Sequence, residues 1–320
     1  MRATLELYQA WIYLGAILAG LAIGAVMPAM AAVLEVLLWP VLGCLLYATF
    51  TQVPLTRLPG AFRDWRFMAA LLAGNFLCIP LLVYALLFLA PDDPAIQLGV
   101  ALVLLVPCTD WFISFTHLGR GDAARAIAAT PVTLCGQLLL LPVYLWLFLG
   151  EAVRDVAVGG HLLAAFAGLI VLPLLLAWLT ERFADRSERG QTLVRGLAWL
   201  PVPLLAVVVF LIAASQVTTV AGLLGVLWQV LLVFLLFLLA AAVLGKLLGR
   251  AFALEAPAAR TLAFSFGTRN SFVVLPLALA LPDAWTAVVV VIVFQSLVEL
   301  FGMVGYLAWI PRWLIPDPAT

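Results

Sequence analysis

Seven consecutive residues, Ser265-Phe266-Gly267-Thr268-Arg269-Asn270-Ser271, put an arginine and five small or hydrogen-bonding side chains inside an apolar stretch, Pro257 to Leu281. An ionisable side chain at bilayer depth costs roughly 2.5–3.5 kcal/mol on insertion scales, so it marks a functional site by default. A second apolar stretch, Leu98 to Leu118, carries Pro107-Cys108-Thr109-Asp110 at a comparable depth. A third holds Glu299 one helical turn after Gln295, which places the two on one face. An acid, a thiol and a guanidinium brought together in this way could bind a small polar solute and carry a proton. The two kernels are expected to face each other and to line the solute site of a membrane carrier.

The elements that must position these residues are transmembrane helices. Hydrophobic residues make up 66% of the 320 and charged residues only 10%, well under the roughly 25% of soluble domains. A span needs about 20 apolar residues. Cutting the sequence at Pro, Gly and charge clusters gives spans at 8–27, 30–51, 67–90, 97–118, 123–149, 161–183, 196–216, 221–247, 257–281 and 284–309. The apolar run after Tyr8 is too long for a signal peptide and leads straight into further spans. All of the 16 Lys and Arg except Arg154 and Arg269 lie at the termini or in alternate loops, so both termini are expected in the cytoplasm.

The later five spans each start about 160 residues after their earlier counterparts, and an odd number of spans turns the second copy upside down. The expected organisation is two inverted five-helix repeats, residues 1–150 and 151–320, joined by the polar Glu151–Gly160 linker. The longest basic loop is expected at Ala184–Gly196. Pro107 weakens the fourth helix and Gly267 the ninth, at matching repeat positions. Weakened helices at corresponding positions point to a midplane site.

Several residues carry plainer alternatives. Proline also occurs in other spans, at Pro40, Pro80, Pro131, Pro142, Pro173 and Pro276. Asp110 and Arg269 could form a permanent structural pair, or a pair that loosens when a proton or an anionic solute competes for one member. Glu35 lies near a span end and is expected to be structural. Cys44, Cys78, Cys108 and Cys135 fall in four different spans, so they are expected as reduced, buried thiols. Asn75, Gln137 and Gln229 suit interhelical hydrogen bonds. His117 and His161 lie near opposite faces, and no metal-binding spacing or soluble catalytic domain exists, so an enzyme is not expected. No cofactor, metal or nucleic acid is expected; the partners are a small solute, the lipid bilayer and a coupling ion.

At these residues the chain resembles the bile acid/sodium symporter superfamily. The marks are the turn Leu118-Gly119-Arg120-Gly121-Asp122, Gly267 with Asn270, and the Pro107-Cys108 pair. That pair, with Leu297-Val298-Glu299 and Trp309-Ile310-Pro311-Arg312, is similar to the arsenical-resistance permease branch. The resemblance implies ten helices in two inverted repeats, with broken fourth and ninth helices crossing at the binding site, and a transport role for Cys108. Sodium-coupled relatives carry Glu and Gln where Ser265 and Arg269 stand here, and a Ser-Asn pair where Phe112 and Ile113 stand. Val273 replaces a glutamate of the arsenite branch. A guanidinium without those ligands makes a poor sodium site.

The expected solute is therefore arsenite or a related small oxyacid, exported against protons, with sodium unlikely as the coupling ion. Cys108, Thr109, Asp110, Trp111, Ser265, Thr268, Arg269 and Asn270 would bind it, and Asp110 and Glu299 would carry the proton. The alternative is a sodium-independent carrier of an organic carboxylate or sulfonate held by the planar fork of Arg269.

Overall fold

The computed structural model describes residues 2–54, 64–109, 111–157 and 166–317. Within them the regular structure is helical, apart from one isolated antiparallel bridge. The first part of the chain forms α1 (Arg2–Val26), α2 (Ala31–Phe50), α3 (Trp65–Ala73), α4 (Ile79–Leu87), α5 (Pro94–Leu105), α6 (Trp111–Leu118) and α7 (Ala123–Ala157). The second part forms α8 (Leu172–Ala184), α9 (Glu188–Leu197), α10 (Pro201–Ser215), α11 (Val217–Ala251), α12 (Ala256–Gly267), α13 (Ser271–Leu279) and α14 (Ala287–Trp309). A wide-turn stretch, Gly74–Cys78, fuses α3 to α4, and a second, Phe166–Val171, leads into α8.

Eight stretches among the described residues are long and apolar enough to cross a bilayer. The protein is an all-α, multi-pass membrane protein. The expected spans 97–118 and 257–281 are missing from those eight because each is divided, into α5 with α6 and α12 with α13. Two other expectations need correction. The basic segment expected as a loop at Ala184–Gly196 is largely helical: α9 follows Ser187, with Glu188 in its first turn and Arg195 in its last. Those charges oppose the ends of the helix dipole and favour a surface helix. The expected Glu151–Gly160 linker is helical through Ala157. Gly150 alone costs only about 1 kcal/mol, and no proline follows to end the helix. The rest of that linker, His161, Arg57, Arg63 and Asp110 lie outside the described residues.

The helices sort into two packed groups. In the first, α1 and α2 pack on α10, and α2 also packs on α8. Gly20 and Gly24 make the closest approach there: a Cβ would stand 2.5 Å from the Phe210 carbonyl oxygen and 2.2 Å from that of Ala214. Small residues one turn apart let membrane helices touch backbone to backbone. The second group, α3 to α7 with α11 to α14, holds the two divided helices. Here Gly245 and Gly249 of α11 lie against Ala263 and Ala259 of α12 in the same way.

Of the four cysteines, Cys108 is buried and Cys78 half-buried, but Cys44 and Cys135 are exposed on the bundle surface. Burial inside the protein was the wrong expectation for that pair. Their stretches are apolar because they are candidate spans, and such a stretch can turn a small side chain outward as well as inward.

Candidate functional site

The first break follows from proline chemistry. Val106 precedes Pro107 and is extended (φ −105°, ψ 109°), as steric conflict with a following proline ring favours. The second break contains no proline. Thr268 is extended (φ −98°, ψ 133°), and what holds the gap open is side-chain capping. The Asn270 side chain accepts from the Val273 N–H at 3.3 Å, starting α13. Thr268 caps the other side, its hydroxyl donating back to the Phe264 carbonyl at 2.8 Å.

The two breaks touch. The Cys108 N–H donates to the Thr268 carbonyl at 3.2 Å, and the Asn270 N–H donates to the Val106 carbonyl at 2.8 Å. Pro107 and Arg269 are the paired residues of this antiparallel bridge. The Asn270 side chain also donates to the Thr109 hydroxyl at 3.2 Å, across 161 residues of sequence. Backbone groups released by one broken helix are thus satisfied by the other, as burial requires.

Arg269 is fully buried at this crossing. One guanidinium nitrogen, Nη2, lies 2.6 Å from the Ser265 carbonyl, 2.9 Å from that of Phe266 and 3.0 Å from Asn75 Oδ1. The other, Nη1, donates to the Leu104 carbonyl at 3.3 Å. Leu104 lies in the last turn of α5, and Ser265 and Phe266 in the last turn of α12, so the cation sits where the C-termini of two half-helices converge. Each such end carries about half a negative charge in unsatisfied carbonyls. The guanidinium neutralises both. It also lies 5.5 Å from the centroid of the Phe237 ring. Among the described residues no carboxylate is within ion-pair distance of it.

Glu299 meets Arg269 through the backbone instead. Its Oε2 accepts from the Arg269 N–H at 2.8 Å and from Gln295 Nε2 at 2.7 Å. Gln295 in turn accepts from the Ser271 hydroxyl at 3.1 Å. Seven buried polar atoms remain without a hydrogen-bond partner among the described residues. Three of them, Glu299 Oε1, Trp111 Nε1 and Arg269 Nε, lie at the crossing, and two more are the amide atoms of Gln137, which does not make the interhelical bond expected of it there. The Trp111 indole lies near enough to Glu299 to interact with it electrostatically, and Cys108 and Glu299 both feel the Arg269 charge.

The crossing therefore collects Cys108, Thr109, Trp111, Ser265, Thr268, Arg269, Asn270 and Glu299, all buried. Ser265 and Thr268 are engaged within the protein: Ser265 Oγ accepts from Asn75 Nδ2 at 3.0 Å, and Thr268 caps its own helix. Asn75, expected as an interhelical hydrogen-bond partner, is one, bridging Ser265 and Arg269. The sequence reading missed Phe237 and the Leu104 carbonyl as neighbours of Arg269. An apolar ring among many, and a backbone oxygen, leave no mark in the sequence.

The turn between α6 and α7 ties the same two helices together at their far ends. The Asp122 N–H donates to Thr261 Oγ1 at 2.8 Å, and Arg260 Nη1 donates to the Arg120 carbonyl at 3.1 Å. Arg120 has a positive φ of 58°, and a Cβ at Gly119 would stand 2.1 Å from the Phe264 ring. The Gly-Arg-Gly pattern of the turn thus serves close docking on α12.

The profile of the sodium bile acid symporter family matches residues 39–246, more than half of the chain. The chain belongs to that family. The match includes the first break and Cys108; Arg269 and Glu299 follow its end. No curated protein matches the chain closely enough to count as a relative. Family and architecture together make this a membrane transporter.

Proposed function

We propose that the protein is a secondary transporter exporting arsenite or a related small oxyacid in exchange for protons. In this reading the divided helices α5/α6 and α12/α13 complete ten crossings, arranged as two inverted repeats, residues 1–150 and 151–320, with both termini in the cytoplasm of a cell-membrane protein. The observation that carries it is the Arg269 guanidinium, held by four oxygen atoms at the converging helix ends. A resident cation occupies the place where a coupling cation would neutralise the same carbonyls, so transport runs without sodium. Protons then supply the drive, carried by Glu299, whose Oε1 has no partner among the described residues, and by Asp110.

The solute binds beside Cys108. Cysteine sulfur is a soft ligand for trivalent arsenic. Each arsenic–sulfur bond replaces one arsenic hydroxyl, which leaves as water with the thiol proton. A neutral oxyacid bearing several hydroxyls also suits the Trp111 indole N–H and Glu299 Oε1, two neighbouring groups that have no hydrogen-bond partner among the described residues. The alternative solute, an organic carboxylate or sulfonate gripped by Arg269, would have to draw the guanidinium fork away from oxygens that already engage it.

Uptake into everted vesicles tests the reading, with arsenite set against a panel of organic anions, with and without sodium and a pH gradient. The expected result is arsenite uptake driven by the pH gradient and indifferent to sodium. Uptake stimulated by sodium, or confined to organic anions and lost in Arg269→Lys while Cys108→Ser stays active, would overturn it.

A further inference from the structure

Away from the crossing, the end of α11 and the C-terminal tail enclose a cavity of about 450 Å³, lined by Lys246, Arg250, Leu254, Ala259, Ile315 and Asp317 among others. Its tail wall is fixed by one buried side chain. Arg260 is 1% exposed; its Nε donates to the Ile315 carbonyl at 2.9 Å and its Nη2 to Asp317 Oδ1 at 2.7 Å. That pairing uses the one carboxylate that lines the cavity among the described residues. Lys246 and Arg250, one turn apart at the mouth, make no ion pair among the described residues. Among the described residues, the cavity therefore presents two cations without a counter-charge over an apolar floor.

The surface leading to it is equally specific. Leu232, Leu236, Leu239, Val243 and Leu247 are exposed along one face of α11, spaced three or four residues apart, and the next position on that face is Arg250. A long apolar stripe ending at two cations beside a cavity matches an acyl chain, a phosphate and a headgroup, in that order. We propose that Lys246 and Arg250 bind the phosphate of an anionic phospholipid whose headgroup enters this cavity and whose chain lies along the α11 stripe. Basic pockets between helices at a membrane surface take such headgroups by charge and shape together. The inference is independent of the solute carried at the crossing.

Lys246 is the single lysine of the chain, so amine acetylation, read by mass spectrometry on the peptide that contains it, reports occupancy directly. The full-length protein is placed in nanodiscs of phosphatidylcholine alone, or of phosphatidylcholine with phosphatidylglycerol. A third set carries oleate at the same surface charge. Acetylation of Lys246 should slow about fivefold with phosphatidylglycerol relative to phosphatidylcholine, through direct contact of the amine with the bound lipid phosphate. It should stay fast with oleate, and Arg250→Gln should abolish the protection while leaving the melting temperature unchanged. Equal rates in all three discs, protection by oleate, or protection that survives Arg250→Gln would each overturn the proposal. So would full protection by inorganic phosphate in phosphatidylcholine discs, which would make the occupant a free anion.

Discussion

The two helix groups are held together by different physics. In α1, α2, α8 and α10, the buried polar side chains among the described residues are Gln9, Thr49 and, at the end of α2, Thr51; close approach at Gly20 and Gly24 sets the packing. In the group formed by α3–α7 and α11–α14, Arg269, Glu299, Asn75, Asn270, Gln295, Arg260 and several hydroxyls are buried and mostly bonded to one another. Shape packing tolerates small displacements, whereas a buried polar network accepts one geometry and penalises the rest. The chemistry sits in the group that can fix atoms in place, and the other group supplies helix surface.

Breaking the network should cost most. Arg269→Leu leaves the Leu104, Ser265 and Phe266 carbonyls and Asn75 Oδ1 without their donor, so thermal unfolding in detergent should show a loss of about 3–5 kcal/mol. Arg269→Lys keeps the charge but not the planar fork and should fall between that variant and the wild type. In the first group, Gly24→Val forces side-chain atoms against the Ala214 backbone. It should lower stability by about 1–3 kcal/mol while leaving the solute dissociation constant of the folded fraction unchanged. If Gly24→Val weakened solute binding as strongly as Arg269→Leu, the division between the groups would fail.

Glu299→Gln separates structure from coupling within the network. The amide retains an oxygen for the Arg269 N–H, so stability should change by no more than about 1 kcal/mol. Flux should lose its response to a pH gradient, measured as vesicle uptake across a pH series. The smallest effect belongs to Asp64, at the start of α3. Burial raises its carboxyl, but the Phe67 N–H and the Arg125 guanidinium together hold it below the ordinary carboxylate value. Its contribution is present above about pH 4 and is lost as pH falls through the lowered value. The pair is about a third exposed, so Asp64→Asn should cost about 0–1 kcal/mol, constant between pH 5 and 8 and vanishing in acid.

The two breaks were legible in the sequence for different reasons. Pro107 announces its break by removing a donor, and the polar run around Arg269 announces the other by its cost in a membrane. What the arginine does was not legible from residue types. Opposite charges suggest as its partner Asp110, which lies outside the described residues; among the described residues the groups it holds are mostly backbone oxygens, which every residue possesses. Glu299 and Gln295 were placed on one face by spacing alone, and their hydrogen bond follows. Spacing could not say that Glu299 would meet a backbone N–H rather than the guanidinium, because that depends on how α14 is rotated against the crossing. The helical nature of 188–197 and of 151–157 was hidden by charge density, which marks solvent exposure more reliably than it marks a loop.

The central claim is that the crossing of the two divided helices is where the solute binds, with Cys108 as its ligand. Calorimetric titration of arsenite into purified protein tests it directly, comparing Cys108→Ser with the triple variant Cys44→Ser, Cys78→Ser, Cys135→Ser. The account predicts saturable binding by the triple variant and none by Cys108→Ser, with both variants folded. Binding retained in Cys108→Ser and lost in the triple variant would contradict it.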